Sequence, residues 1–155
     1  GAATAIEITA ALEGVQEMSI FAIRDDFWEN AVKTVEKIHR NVPGCKVELY
    51  DLADKERFYH EIRESDIFTN GTRVGMKPGD GETLIEDRGI FHKGLAVTDV
   101  VYNPRETRLI VEAKEAGCRT VPGIGMLLWQ GAEAFKLFTG KEMPAGEVME
   151  RYFRE

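Results

Sequence analysis

Met18-Ser19-Ile20-Phe21-Ala22-Ile23 is a short, nearly continuous apolar run with β-branched content, and Asp25-Asp26 follows it closely. Such a run predicts a strand buried on both faces, as in a parallel sheet. The aspartates predict the start of a helix, because carboxylates are favourable at the positive end of a helix dipole. Phe27, Ala31, Val32, Val35 and Ile38 then mark the buried stripe of that helix. Upstream, Ala5, Ile6, Ile8, Thr9 and Leu12 recur at helical spacing over residues 3–12, and Gly14 is placed to stop them.

The same alternation continues downstream. Asn41-Val42-Pro43-Gly44 breaks the helix, and a strand is expected over residues 46–51, a helix over 54–64 and a short strand over 66–70. Residues 71–93 hold five of the chain's 15 glycines and Pro78, which predicts mainly loop with one helical turn at 84–87. A strand at 95–98, a helix at 106–116, a strand at 118–121, an apolar helix at 125–138 and an amphipathic helix at 147–153 complete the pattern. Short buried strands alternating with helices imply a parallel sheet covered on both faces. Right-handed crossovers make this a doubly wound, Rossmann-like α/β fold, whose ligands bind beyond the carboxyl ends of the strands.

Composition bounds the function. The chain has 155 residues, 43% hydrophobic and 30% charged, with 20 basic and 27 acidic side chains and a net charge of −7. It is long enough to bury roughly 68–70% of its unfolded surface in one globular domain, which argues against disorder. An acidic chain with no basic run lacks the cations that displace counterions from nucleic acid, so no nucleic-acid partner is expected. A nucleotide ligand is not excluded. No apolar stretch reaches the length of a membrane span and the start shows no signal-peptide pattern, so no membrane partner is expected. Cys45 and Cys118 sit in no CxxC motif and read as reduced, structural thiols of a cytoplasmic protein. His39, His60 and His92 have no spacing for a metal, and none is expected; His39 and His60 read as solvated helix positions.

The strand ends supply the candidate site. Ile23-Arg24-Asp25 lies about twenty residues past Gly1-Ala2, where a dinucleotide fold places an acidic group on the adenosine ribose. Asp25 suits that role, and equally a helix N-cap. Thr69-Asn70-Gly71-Thr72-Arg73-Val74-Gly75-Met76 is polar and rich in backbone donors, and reads as a ligand loop or a plain surface turn. Asp99-Val100-Val101-Tyr102-Asn103-Pro104 puts a hydroxyl and an amide at a strand end, as a site or as a helix lead-in. In Val121-Pro122-Gly123-Ile124-Gly125-Met126, two glycines would let the backbone approach a flat ligand. Gln130, in the apolar run that follows, is either a ligand contact or a satisfied core glutamine.

Three ordered segments now carry a likeness: Asn70-Gly71-Thr72-Arg73-Val74-Gly75-Met76, Val101-Tyr102-Asn103-Pro104-Arg105-Glu106-Thr107, and Gly123-Ile124-Gly125-Met126-Leu127-Leu128-Trp129-Gln130-Gly131-Ala132. Together they closely resemble the shikimate dehydrogenase family, and with Asp25 most of all its quinate/shikimate dehydrogenase branch. The resemblance covers essentially the whole chain. It implies reversible nicotinamide-dependent reduction of 3-dehydroshikimate to shikimate and, in that branch, of 3-dehydroquinate to quinate. It also implies that residues 1–155 are a carboxy-terminal NAD(P)-binding domain that begins inside its own phosphate loop. The first strand and an amino-terminal substrate domain, which carries the catalytic lysine and aspartate, would lie outside this chain. No residue here takes either catalytic role, and the chain alone is expected to be inactive.

Carried over residue by residue, the resemblance places Gly1 and Ala2 at the pyrophosphate, Asp25 at the adenosine ribose and Arg24 beside the adenine. Asn70 and Arg73 would flank the cofactor, and Val100, Val101, Tyr102 and Asn103 would lie along its nicotinamide side. Gly123 and Met126 would complete the nicotinamide pocket, while Tyr102 and Gln130 would reach the substrate. The family also implies a homodimer. One departure stands out: the family's Asn-Arg pair after this strand is Ala22-Ile23 here. Without that arginine, and with Asp25 opposing a 2′-phosphate, NAD is expected to bind in preference to NADP by ~1–3 kcal/mol. Other readings are a different Rossmann dehydrogenase, such as a glutamyl-tRNA reductase-like relative, or a catalytically silent dinucleotide-binding or interaction module.

Overall fold

The computed structural model describes residues 1–153, which divide into two compact units, Gly1–Ser65 and the remainder from Asp66 onward. In the first unit, α1 (Ala2–Leu12) leads to β1 (Glu17–Ala22), α2 (Trp28–Asn41), β2 (Lys46–Asp51) and α3 (Lys55–Glu64). Gly14 takes φ +96° just after α1, a left-handed turn open to glycine at no steric cost. β1 and β2 pair in parallel with Glu17 opposite Lys46 and Ala22 opposite Asp51. Successive strand residues face opposite sides, and both sides are covered. On one, Ile20 and Val47 join Ala11, Ile38 and Cys45 in a buried cluster. On the other, Phe21 stacks on Tyr50 at 5.2 Å and meets the buried Phe58 of α3 edge-on at 5.0 Å. Asp54 caps α3, its Oδ1 accepting from the Arg57 N–H at 3.0 Å.

In the second unit, β3 (Ile67–Asn70), β4 (Ala96–Asp99) and β5 (Arg119–Val121) form a parallel sheet in that order. Ile67 lies opposite Ala96, and Ala96 opposite Arg119. α4 (Arg108–Glu115) makes the crossover from β4 to β5 and buries Leu109, Ile110 and Ala113. α5 (Ile124–Thr139) follows β5. The long connection from β3 to β4 is packed rather than slack, since Ile85 and Ile90 are fully buried.

Where the sequence pattern suggests one parallel sheet, the described residues form a parallel pair, β1-β2, and a parallel triplet, β3-β4-β5.

Local differences from the sequence reading have local causes. The helix expected to start at Asp25-Asp26 begins at Trp28, because the Asp25 carboxylate accepts from the Phe27 N–H at 2.8 Å and makes a turn ahead of it. The single turn expected at 84–87 is a 3-10 turn at Arg88–Ile90, started by Asp87, whose carboxylate accepts from the Gly89 N–H at 2.9 Å. In place of one amphipathic helix at 147–153 there is a short α6 (Ala145–Val148) and a single π-turn at Met149–Phe153.

Candidate functional site

Parallel pairing places the carboxyl ends of β1 and β2 at one edge of the first unit. Arg24 and Asp25 follow β1 directly there, and Asp51 ends β2. The Arg24 Nε–H donates to Asp51 Oδ2 at 3.0 Å, and the guanidinium lies 4.3 Å from the centroid of the Trp28 ring. Asp51 Oδ1 accepts from the Ala53 N–H at 2.8 Å. Asp25 is exposed and commits Oδ1 to the Phe27 N–H, so Oδ2 is without a partner among the described residues. It is therefore a turn-former with one oxygen left over, not the N-cap of α2, which is Phe27.

Gly1 caps α1 without a side chain, and no acidic residue lies in the first turn. The leading N–H groups of a helix have no intrahelical partner and sit at its positive end. A Cβ added at Gly1 would meet nothing within 4 Å, and helix N-termini are favourable places for anions.

In the second unit the loops after β3, β4 and β5 leave the same edge of the sheet. They carry Asn70 and Arg73, then Val100 through Asn103, then Gly123 and Met126. A buried network ties the first two loops together. Asn70, 1% exposed, donates through Nδ2 to Asp99 Oδ1 at 3.0 Å and to the Val74 carbonyl at 3.1 Å. Its Oδ1 accepts from the Thr72 N–H at 3.0 Å and the Thr72 hydroxyl at 2.7 Å. Asp99, 4% exposed, also accepts from the Val101 N–H at 2.9 Å and, through Oδ2, from the Thr107 hydroxyl at 2.6 Å. Thr107 in turn caps α4. Burial raises the Asp99 carboxyl above its ordinary range, against the pull of the hydrogen bonds donated to it.

The third loop is fixed by close approach of backbone to backbone. A Cβ built on Gly123 would lie 2.4 Å from the Val101 carbonyl oxygen and 2.7 Å from the Val100 carbonyl carbon and oxygen. The closeness expected of the two glycines toward a flat ligand is thus, at Gly123, closeness to the chain's own β4 loop. Gly125 has open space around it.

The remaining candidates are available for contact. Arg73, Tyr102 and Gln130 are exposed, and none of their side chains makes a hydrogen bond or ion pair among the described residues. Exposure removes the reading of Gln130 as a core glutamine. The Asn103 carbonyl accepts from the Lys77 N–H at 3.2 Å, and Met126 is half-buried in the first turn of α5.

Sequence reasoning missed Asp51, Asp99 and Thr107. Asp99 carried a signal, since a carboxylate ending the apolar run Leu95-Ala96-Val97 of a buried strand must find donors. Asp51 carried none, because its partner lies 27 positions earlier. His39 and His60 lie exposed on their helices, with His39 Nε2 3.0 Å from the Val47 carbonyl. Among the described residues no cluster of three His, Cys, Asp or Glu side chains is placed to hold a metal, and no helix is long and apolar enough to cross a membrane.

Residues 123–151 match the family model described as the shikimate 5′-dehydrogenase C-terminal domain. The chain is 54% identical over 153 residues to the shikimate dehydrogenase (NADP(+)) of Listeria innocua, covering 99% of this chain and 52% of that protein. It is 47% identical over 144 residues to the quinate/shikimate dehydrogenase of Escherichia coli, covering 93% of this chain and 50% of that one. The crystal structure of shikimate 5-dehydrogenase from Listeria monocytogenes, solved with shikimate and NAD, superposes with a TM-score of 0.91 at 55% identity. It matches over 97% of this chain and 52% of its own length. This chain thus spans about half the length of the curated relatives it matches.

Proposed function

Since the chain belongs to the shikimate dehydrogenase family and carries its carboxy-terminal domain, we propose that it is the dinucleotide-binding half of an NAD(P)-dependent shikimate/quinate dehydrogenase. The observation that carries this reading is the 0.91 superposition on the Listeria monocytogenes enzyme, whose structure contains shikimate and NAD. The arrangement of this chain's own residues fits such a group. The terminus of α1 at Gly1 and Ala2 offers unpaired N–H groups to a diphosphate. The spare Asp25 oxygen accepts from ribose hydroxyls, and Arg24, in contact with the Trp28 ring, lies beside the base.

Asn70 acts through its loop rather than its side chain, whose donors and acceptor are already taken, and it thereby sets the start of the segment bearing Arg73. The backbone of Val100, Val101 and Asn103, with Gly123 packed against it and Met126 beside it, forms a wall for the nicotinamide. Tyr102 and Gln130 hydrogen-bond the hydroxyl or carboxylate groups of the substrate. The nicotinamide supplies or takes the hydride when bound. Transfer of the alcohol proton falls to the substrate domain, which lies outside this chain. Cys45 and Cys118, buried and unpaired, suit a reducing cytoplasm.

The preference for NAD over NADP belongs to this proposal. It rests on Ala22-Ile23 and Asp25, and the relatives divide on the point, one being named for NADP(+) and one solved with NAD. Steady-state kinetics of the intact gene product with shikimate, quinate and both dinucleotides is the test. We expect turnover with NAD favoured in kcat/KM by roughly 5- to 150-fold, the equivalent of ~1–3 kcal/mol, and no turnover by residues 1–155 alone. Absence of turnover by the intact product removes the enzymatic reading; tighter use of NADP removes only the preference.

A further inference from the structure

Asp51 touches none of the groups assigned to the ligand except one, and it controls how that one is presented. It ends β2 opposite Ala22, and Arg24 stands two residues beyond Ala22 at the same sheet edge. Its carboxylate is divided. Oδ1 is fixed by the Ala53 N–H, and Oδ2 receives the Arg24 Nε–H at 3.0 Å. Trp28 supplies the opposite constraint, with the guanidinium 4.3 Å from its ring centroid. Arg24 is thus held at Nε and against an aromatic ring, while Nη1 and Nη2 take no part in the bond to Asp51.

From this arrangement we infer that Asp51 is a positioning residue that sets dinucleotide specificity: by tethering and neutralising Arg24, it withholds the cation that directly follows β1 from a 2′-phosphate. The inference rests on the dinucleotide reading of the first unit. Arg24 is the arginine nearest the ribose-binding Asp25, and an arginine in this position ordinarily favours a 2′-phosphate through a charge-assisted, bidentate contact. Paired with Asp51 it adds no net charge, and Asp25 and Asp26 leave the edge acidic. The pair is well exposed, with side chains 66% and 30% accessible, so it contributes little to folding stability. Its effect is directional. It keeps the guanidinium against the Trp28 ring, beside the place assigned to the base, and keeps its fork from turning toward the ribose.

Asp51→Asn separates these roles. The amide oxygen can still accept from the Ala53 N–H, whereas the amide NH2 would face the Arg24 Nε–H donor to donor. The guanidinium is then released and one negative charge is removed. Kd values for NAD and NADP are to be measured by calorimetry on the intact gene product, its D51N variant and the double variant D51N/R24Q. The expected result is a roughly tenfold rise in the affinity ratio NADP:NAD in D51N, most of it lost again in D51N/R24Q. Wild type that binds NAD, with an unchanged ratio in D51N, overturns this inference and leaves the dinucleotide reading intact. A gain that survives in D51N/R24Q overturns it too, because charge removal and not Arg24 would then be the cause. Wild type that binds neither dinucleotide overturns the underlying reading and this inference with it.

Discussion

Replacing Gly123 with alanine is expected to lower the unfolding temperature of the protein by about 6–12 °C, the equivalent of roughly 3 kcal/mol in a chain of this size. The added methyl carbon would sit 2.4 Å from the Val101 carbonyl oxygen and 2.7 Å from two atoms of the Val100 carbonyl. All three are backbone atoms at the end of a buried strand, so no side chain can rotate away and either β4 or the start of α5 must move. Gly125, two residues on and inside the first turn of α5, has nothing within 4 Å of its built Cβ. Alanine there should be neutral or stabilise by up to about 1 kcal/mol, through its better helix propensity. Thermal unfolding of both variants, followed by circular dichroism, checks the pair. Equal effects at the two positions would sink the argument from close approach.

The second large effect is expected at Asp99. Its carboxylate accepts from Asn70, Val101 and Thr107, and truncation to alanine leaves those three donors unpaired in a buried place. Each unsatisfied donor costs about 1–3 kcal/mol, and allowing for relaxation the sum should reach at least ~3 kcal/mol. Asp99→Asn should cost nearer ~1 kcal/mol. The amide oxygen can keep the Asn70 and Val101 bonds, and the Thr107 hydroxyl has lone pairs with which to accept from the new NH2.

Wild type and the asparagine variant also differ in their pH response. Burial holds the folded-state pKa of Asp99 above its ordinary value of 3.8, so the folded protein binds this proton more tightly than the unfolded chain does. Stability from this group is therefore present in full below 3.8 and is lost as pH rises through the raised value. The amide of the variant does not titrate. The advantage of wild type over the asparagine variant in urea unfolding should accordingly widen as pH falls from neutral toward about 4. An advantage that narrows over that range would contradict the assignment.

These expectations show where the sequence is informative. β2 is readable to the residue because Pro43-Gly44 precedes it and its apolar and polar residues alternate. The loops that carry the candidate site are readable as loops, from their glycines, prolines and polar residues. Their internal order is not. Whether Asp25 caps a helix or a preceding turn depends on which of two neighbouring N–H groups its carboxylate meets, a choice that the composition of the segment does not encode. The contacts of Arg24 with Asp51, and of Gly123 with Val100 and Val101, join residues about 20 or more positions apart, and they exist only once the strands have paired. Gln130 is ambiguous for another reason. An apolar run such as Gly125-Met126-Leu127-Leu128-Trp129 suggests burial all round, whereas α5 leaves Trp129 62% and Phe138 88% exposed.

The division of five strands into a pair and a triplet has a practical side. Among the described residues β1 is paired only with β2, and β3 only with β4, so each has one edge with no hydrogen-bonded strand. Open edges are templates on which a strand from another molecule can add, and neither β1 nor β3 carries the proline that commonly blocks such addition. Ile67, at the start of β3, is 58% exposed. For residues 1–155 produced in isolation, the property most at risk is therefore solubility: self-association by edge pairing competes with measurement of ligand binding, and low protein concentration favours the latter.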